Sequence, residues 1–218
     1  MAKAAYVFGY GSLIERASRT RTNPEAVGAW PARVTGYQRG WFHQFTKRVG
    51  SSCTFLGAVE SAGTTLNGVI YLVQDFEKTK EREIGYTAIP IPAHRIEMLD
   101  GAGPWNRGKD PYIFVSDEAN ISKTKEPTPA YPMVQSYVDI CVNGCLEIEA
   151  LYRPAHGFVQ EFIGSTTGWN AYWVNDRLYP RRPFIYVPNA GAIDQALQEG
   201  KVLQYLQLHD IGLEPKPA

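Results

Sequence analysis

Short apolar segments separated by glycine-containing or polar connections run through the first half of the chain and constrain its fold more than any other feature. The segments "ARVTGYQ", "GWFHQF", "CTFLGAVE" and "NGVIYLV" alternate apolar and polar residues, which is typical of strands. The connection "SAGTTL" predicts a hairpin between the last two, and "GYTAIPI" and "PYIFV" predict two further strands. Because no helices alternate regularly with these strands, the pattern favours a mainly antiparallel sheet that closes into a small β-barrel with flanking helices.

Apolar residues are spaced differently in the second half of the chain. This half follows the polar, proline-rich segment "NISKTKEPTPAYP", which predicts a linker or a long surface loop. In "MVQSYVDICVNGCLEIEAL" apolar residues recur every three or four positions, which predicts an amphipathic helix with Pro132 in its first turn. Two later segments are helical in part. The sequence thus predicts an α+β protein with a barrel domain at residues 1–120 and an α-rich C-terminal extension at 121–218 that packs on the barrel.

Composition and charge disfavour several classes of binding partner, namely nucleic acid, membranes and metal ions. Lysine plus arginine equals aspartate plus glutamate at 22 each, so no basic field attracts nucleic acid or a membrane surface. No window approaches 18 consecutive apolar residues and the first residues make too weak a signal peptide, which predicts a cytoplasmic protein. The spacings of histidine and cysteine fit no metal site; Cys141 and Cys145 lie on one helical face, where core packing is expected. We therefore predict no metal site.

The stretch "VFGYGSLI" at positions 7–14 is the first candidate site. A strand that breaks into Gly-Tyr-Gly-Ser predicts a tight loop with exposed backbone amides, which can hold an anion. A dinucleotide site is disfavoured because Ile14 stands where a third small residue is needed and no βαβ unit follows. One alternative stays open, namely that the glycines only provide the positive φ angles of a tight turn.

The stretch "DFEKTKEREIGYTAIPIP" contains the second candidate. It predicts a short helix from Phe76 to Ile84, with Asp75 as N-cap and Gly85 ending the helix before a strand at Tyr86. Glu83 then faces the negative end of the helix dipole, and burial there would raise the pKa of its carboxyl toward that of a general base. The alternative is a solvated acidic helix face, which suits the neighbouring glutamates.

Together, "VFGYGSL" and, about seventy residues later, "REIGY" resemble the γ-glutamylcyclotransferase-like family, which includes γ-glutamylcyclotransferases, ChaC-type proteins and AIG2-like proteins. The resemblance covers about 110 residues, from Tyr6 to Val115. It implies a small, mostly antiparallel barrel with flanking helices. It also implies an enzyme that releases 5-oxoproline from a small γ-glutamyl compound without a cofactor, by attack of the α-amine on its own γ-carbonyl.

The resemblance further implies the roles of individual residues. Glu83 is the expected catalytic base and acid, and Tyr86 either lines the site beside it or is a structural tyrosine of the barrel. The expected cradle for the glutamyl group consists of Val7, Phe8, Gly9, Tyr10, Gly11, Ser12 and Leu13. The competing hypothesis is a non-catalytic protein that uses the same fold to bind a γ-glutamyl or carboxylate ligand.

A third segment, from Trp169 to Arg182, is rich in aromatic residues and arginines. Aromatic residues at helical spacing most often belong to a core. Because the extension is longer than a glutamyl-binding barrel needs, we nevertheless expect this segment to border the cavity that holds the loop and Glu83. Trp173 or Arg177 would then select the leaving group of the substrate.

Overall fold

A computed structural model of the protein describes residues 3–45, 52–99, 105–106, 108–116, 126–180 and 189–206. The strands are β1 (Ala5–Gly9), β2 (Val27–Phe45), β3 (Cys53–Val73), β4 (Tyr86–Pro90), β5 (Ile96–Met98), β6 (Tyr112–Ser116), β7 (Met133–Val134), β8 (Thr166–Thr167) and β9 (Trp173–Val174). The helices are α1 (Arg16–Thr22), α2 (Phe76–Arg82), α3 (Gln135–Leu151), α4 (Phe158–Ser165) and α5 (Ala190–Glu199).

One large sheet forms the centre of the molecule. Its strands follow the order β4-β6-β1-β3-β2-β5, and β8 pairs with β2 beside this path. Most neighbours are antiparallel, whereas the pairs β1–β6 and β2–β8 are parallel. The predicted α+β class and the mostly antiparallel sheet are therefore confirmed. In the part of the chain that the structure describes, β4 and β5 end the path without pairing with each other, so the predicted closed barrel is not confirmed.

The predicted hairpin at "SAGTTL" is wrong. The two segments that flank it belong to the single strand β3, and both pair with the long strand β2 instead of with each other. The four residues 61–64 lie opposite the single residue Gly36, so the turn sequence forms a bulge within the ladder. Gly63 has a φ of 79°, which is the turn conformation that the sequence suggests. Long-range pairing with β2 thus overrides a local turn signal.

Helix α3 forms where the periodicity predicts it, and it is largely buried. Pro132 lies outside its first turn. The backbone N–H of Thr54 donates to the Pro132 carbonyl at 2.9 Å, and this contact holds the segment before the helix in an extended conformation against β3. Cys141 and Cys145 are buried in the apolar core, as predicted.

Both halves of the chain contribute to the larger of two apolar clusters. Side chains from β1, β2 and β3 pack there against side chains from α3, α4 and α5. Burial of this shared surface attaches the helices to the sheet. The proposed domain boundary at residue 120 lies outside the described residues.

Helix α3 makes a close backbone contact with the segment that follows β1. A Cβ atom added at Gly144 would lie 2.4 Å from the backbone nitrogen of Glu15. Because backbone cannot move aside as a side-chain end can, Gly144→Ala is expected to lower the free energy of unfolding by about 2 kcal/mol, despite the better helix propensity of alanine. Chemical denaturation measures this.

A matched substitution is available in α4. A Cβ atom added at Gly164 would have no heavy atom within 4 Å, so Gly164→Ala should leave stability unchanged or raise it slightly. If Gly144→Ala were as stable as Gly164→Ala, the close contact between α3 and Glu15 would be contradicted.

Candidate active site

A pocket lies at the end of β1. The residue that follows α2 and the first turn of α3 form part of its wall. The space inside it, open to solvent, is about 320 Å³. Its lining combines the predicted loop with the predicted base: Phe8, Gly9, Tyr10, Gly11, Ser12, Leu13, Leu56, Glu83, Tyr86, Phe114 and Tyr137. Among the predicted site residues, Val7 does not belong to this lining, because its side chain is fully buried in the core. The structure thus brings the loop, Glu83 and Tyr86 together.

The loop turns immediately after β1. A short 3-10 helix spans Ser12–Ile14, and the N–H of Ile14 donates to the Gly11 carbonyl at 3.0 Å. Neither Gly9 nor Gly11 has a positive φ, so the alternative reading that these glycines provide such angles is wrong. Close approach explains them instead. A Cβ at Gly9 would lie 2.8 Å from the Leu13 Cβ.

Glu83 lies directly after the last residue of α2. The helix ends at Arg82, two residues earlier than predicted, and Glu83 is its C-cap. The N–H of Glu83 donates to the Thr79 carbonyl at 3.1 Å. Gly85 has a φ of 85°, which allows the chain to reverse before β4. Asp75 is the N-cap, as predicted, because its side chain accepts from the N–H of Lys78 at 3.5 Å.

The Glu83 side chain is 17% exposed and its Oε1 lies 3.2 Å from the Nε of Arg82. The guanidinium of Arg82 also donates to the Ser18 carbonyl at 2.6 Å and to the Thr22 hydroxyl at 3.0 Å. These bonds fix the Arg82 side chain on α1 and so hold the Glu83 carboxylate in place. The arginine favours the charged carboxylate, which opposes the effect of the helix end.

Two tyrosines form fixed walls of the pocket. The hydroxyl of Tyr86 donates to the Leu56 carbonyl at 2.8 Å, and its ring stacks on His43 with centroids 4.1 Å apart. The hydroxyl of Tyr10 donates to the Phe114 carbonyl at 2.5 Å. Burial, and then the negative charge of Glu83, raise the pKa of Tyr10 far above its usual value, so this hydroxyl stays protonated.

Three lining residues were missed by sequence reasoning. Leu56 and Phe114 come from β3 and β6, where their alternation predicted only strands. Tyr137 comes from α3, and its spacing placed it on the apolar face of the helix. Its ring packs on Phe55 with centroids 4.7 Å apart, while its hydroxyl lies 3.3 Å from where a Cβ of Gly11 would be. No local signal marks these residues as part of a site.

The expectation for the aromatic and arginine-rich segment is wrong for its described part. None of residues 169–180 lines the pocket, and residues 181–182 lie outside the described residues. Trp173 is buried in the core, with its ring 5.2 Å from that of Trp169. Arg177 binds Asp139 and Asp194 through pairs of hydrogen bonds of 2.7–2.9 Å. These bonds join α3 to α5 and give the fully buried carboxylate of Asp139 a charged partner.

Two features are absent from the described ranges. Within them, no helix is long and apolar enough to cross a membrane. The same residues contain no group of three or more histidine, cysteine or acidic side chains that could hold a metal ion.

Solved structures provide the comparison with known proteins, since the chain matches no protein-family model and no curated protein. The structure of an uncharacterized human protein is similar with a TM-score of 0.54 at 14% identity, over 90% of this chain and 99% of that one. A γ-glutamyl cyclotransferase is similar with a TM-score of 0.49 at 15% identity, over 66% of this chain and 80% of that one.

A yeast γ-glutamyl cyclotransferase specific to glutathione is similar with a TM-score of 0.42 at 13% identity, over 91% of this chain and 97% of that one. At such identities a likeness shows fold and not activity. The chain therefore shares its fold with the human protein, and the structures similar to it include γ-glutamyl cyclotransferases, the family that its loop and its "REIGY" segment resemble.

Proposed function

We propose that this protein is a γ-glutamylcyclotransferase-like enzyme that releases 5-oxoproline from a γ-glutamyl amide or γ-glutamyl peptide. The observation that carries the proposal is the position of Glu83, whose carboxylate lines one pocket with the loop of residues 8–13 although about seventy residues separate them in the chain. A mostly buried carboxylate beside a loop of backbone amides suits a ligand that carries both an amine and a carboxylate.

The reaction requires a group that moves protons. The α-amine of the glutamyl group is protonated at neutral pH and becomes a nucleophile only when a base removes a proton. Its nitrogen then attacks the γ-carbonyl carbon and closes a five-membered ring. The bond between this carbon and the departing nitrogen breaks, and the departing amine takes up a proton. Glu83 accepts the first proton from the α-ammonium group and later donates it to the departing nitrogen, so that the carboxylate is restored. The ring nitrogen also gives up a second proton, which passes to the released amine or to water, and the lactam N–H remains.

The loop supplies the complementary contacts. Backbone amides of Gly11, Ser12 and Leu13 come at the start of the 3-10 helix, where the first N–H groups have no partner within the helix. We assign them to the ligand carboxylate or to the oxyanion that develops on the γ-carbonyl, a contact worth about 3 kcal/mol of barrier in other enzymes. Because both reacting groups belong to one molecule, holding the glutamyl chain folded lowers the barrier without any cofactor.

The hydroxyl groups of two tyrosines in the pocket wall are already engaged in hydrogen bonds. The Tyr10 hydroxyl is bound to the Phe114 carbonyl and that of Tyr86 to the Leu56 carbonyl, so both rings are held in fixed orientations. Fixed rings shape the space around the glutamyl chain. Glu83 is the one carboxylate among the described residues that line the pocket, so we assign the acid and base roles to it.

The test is to incubate the purified protein with a panel of γ-glutamyl compounds and to detect 5-oxoproline. The panel should contain glutathione, a γ-glutamyl amine and a γ-glutamyl dipeptide, with the matching α-glutamyl dipeptide as control, because that isomer cannot form the ring in the same way. Release from a γ-glutamyl compound alone supports the proposal. Binding of these compounds without release would instead support the non-catalytic binding protein.

A further inference from the structure

Arg39, in the middle of β2, is a fully buried cation that the proposed reaction does not use. Its guanidinium reaches six acceptors with five N–H groups, so Nη2 shares one N–H between two of them. In the described part of the chain every acceptor is an uncharged oxygen. The acceptors are the carbonyls of Tyr10 (3.1 Å), Asn67 (2.8 Å) and Phe162 (2.8 Å), the Asn67 amide oxygen (3.0 Å) and the hydroxyls of Ser165 (2.7 Å) and Thr166 (2.7 Å). This set joins the loop to β3 and α4.

The positive charge of Arg39 has no carboxylate in contact among the described residues. Glu161 is a nearby acid, but its carboxylate is already bound to Arg33 through bonds of 2.6 Å and 2.8 Å. Burial lowers the pKa of Arg39 to about 10, which leaves it charged at neutral pH. A buried charge that is not neutralised costs free energy and attracts an opposite charge to the nearest accessible site.

The nearest part of the pocket is the loop. Arg39 donates to the carbonyl of Tyr10, and the described residues contain no cis peptide bond. In a trans peptide the carbonyl and the following N–H point in opposite directions, so the N–H of Gly11 points away from Arg39. Tyr10 and Gly11 line the pocket whereas Arg39 does not, so the guanidinium holds this peptide from outside the lining.

We propose that Arg39 is a positioning residue that fixes the Tyr10–Gly11 peptide with its N–H toward the pocket and, through its charge, makes the loop prefer a ligand carboxylate. The inference rests on the proposed function for the identity of that ligand, the α-carboxylate of a γ-glutamyl group. The pocket then has a positive end behind the loop and a negative end at Glu83, which matches the carboxylate and the amine of one amino acid.

The test compares binding of 5-oxoproline and of its primary amide, which has the same ring without the negative charge. Titration calorimetry at neutral pH measures both dissociation constants in the wild type, in Arg39→Gln, in Arg39→Lys and in Arg153→Gln. The last variant is the control, because Arg153 is an exposed arginine that does not belong to the pocket lining. The ratio of the two constants separates recognition of the carboxylate from a general loss of folding.

We expect the wild type to bind 5-oxoproline about tenfold more tightly than the amide, as a charge-assisted contact implies. Arg39→Gln should bring the ratio close to one, Arg39→Lys should keep part of the preference, and Arg153→Gln should leave the ratio unchanged. If Arg39→Gln kept the wild-type ratio, the inference would be overturned. It would also be overturned if the wild type bound the two ligands equally tightly, or bound neither of them.

Arg39→Gln leaves several buried acceptors without a donor, so circular dichroism must show that it folds. If it does not, Thr166→Val takes its place, because it removes one acceptor of the guanidinium at nearly constant shape and lies outside the pocket lining. It should weaken 5-oxoproline binding about threefold or more and the amide less. An unchanged ratio in this variant would overturn the inference.

Turnover measured in parallel separates the two proposals. A carboxylate preference that depends on Arg39, without release of 5-oxoproline from any γ-glutamyl compound, would contradict the enzyme and support the role of Arg39. Release of 5-oxoproline together with a preference that survives in Arg39→Gln would contradict only the role of Arg39.

Discussion

Replacement of Glu83 by glutamine is expected to reduce the release of 5-oxoproline by at least about 100-fold. Glutamine keeps the size of the side chain and can still accept a hydrogen bond from Arg82, but it cannot take a proton from the α-amine. The free energy of unfolding should change by less than about 1 kcal/mol, because the ion pair with Arg82 is partly exposed. Steady-state kinetics and chemical denaturation measure the two effects on the same preparation.

The matched control for this substitution is Glu81→Gln. Glu81 lies on the same helix two residues earlier, but its side chain is exposed and it does not line the pocket. The control should retain wild-type turnover. Substantial activity in Glu83→Gln, or an equal loss in Glu81→Gln, would remove Glu83 from the mechanism.

Replacement of Gly11 by valine is expected to abolish ligand binding. A Cβ at this position lies 3.3 Å from the hydroxyl of Tyr137 and 3.6 Å from a methyl group of Leu56, both of which line the pocket. The two further methyl groups of valine then fill the space in front of the loop. Overpacking of this kind costs about 1–3 kcal/mol of stability, so the protein should still fold. Calorimetry with a γ-glutamyl ligand measures the loss of binding.

Gly164→Val provides the control for Gly11→Val. Gly164 is an exposed residue of α4 with no heavy atom within 4 Å of an added Cβ, and it is not part of the pocket lining. This variant should bind the ligand as the wild type does. Unaltered binding by Gly11→Val would show that the loop is a structural turn and that the ligand lies elsewhere.

Local patterns were sufficient to predict several parts of the structure. The alternation predicted the strands β3, β4 and β6, and the helical period predicted α3, because both patterns can be seen among neighbouring residues. The N-cap at Asp75 and the chain reversal at Gly85 depend on the chemistry of single residues. The loop after β1 and Glu83 could be proposed as a site for the same reason, since each carries its chemistry within a few residues.

Only the tertiary structure determines which of these elements and residues contact one another. Residues 61–64 have the chemistry of a turn, but β2 offers a partner on both sides of them, so they form a bulge and not a hairpin. Arg177 has the chemistry of a ligand-binding arginine, but Asp139 and Asp194 neutralise it. Arg39 and Tyr137 look like an ordinary strand residue and an ordinary helix residue, and packing places one behind the loop and the other in front of it. Such contacts join residues far apart in the chain, so they depend on how whole elements pack, which no short stretch of sequence records.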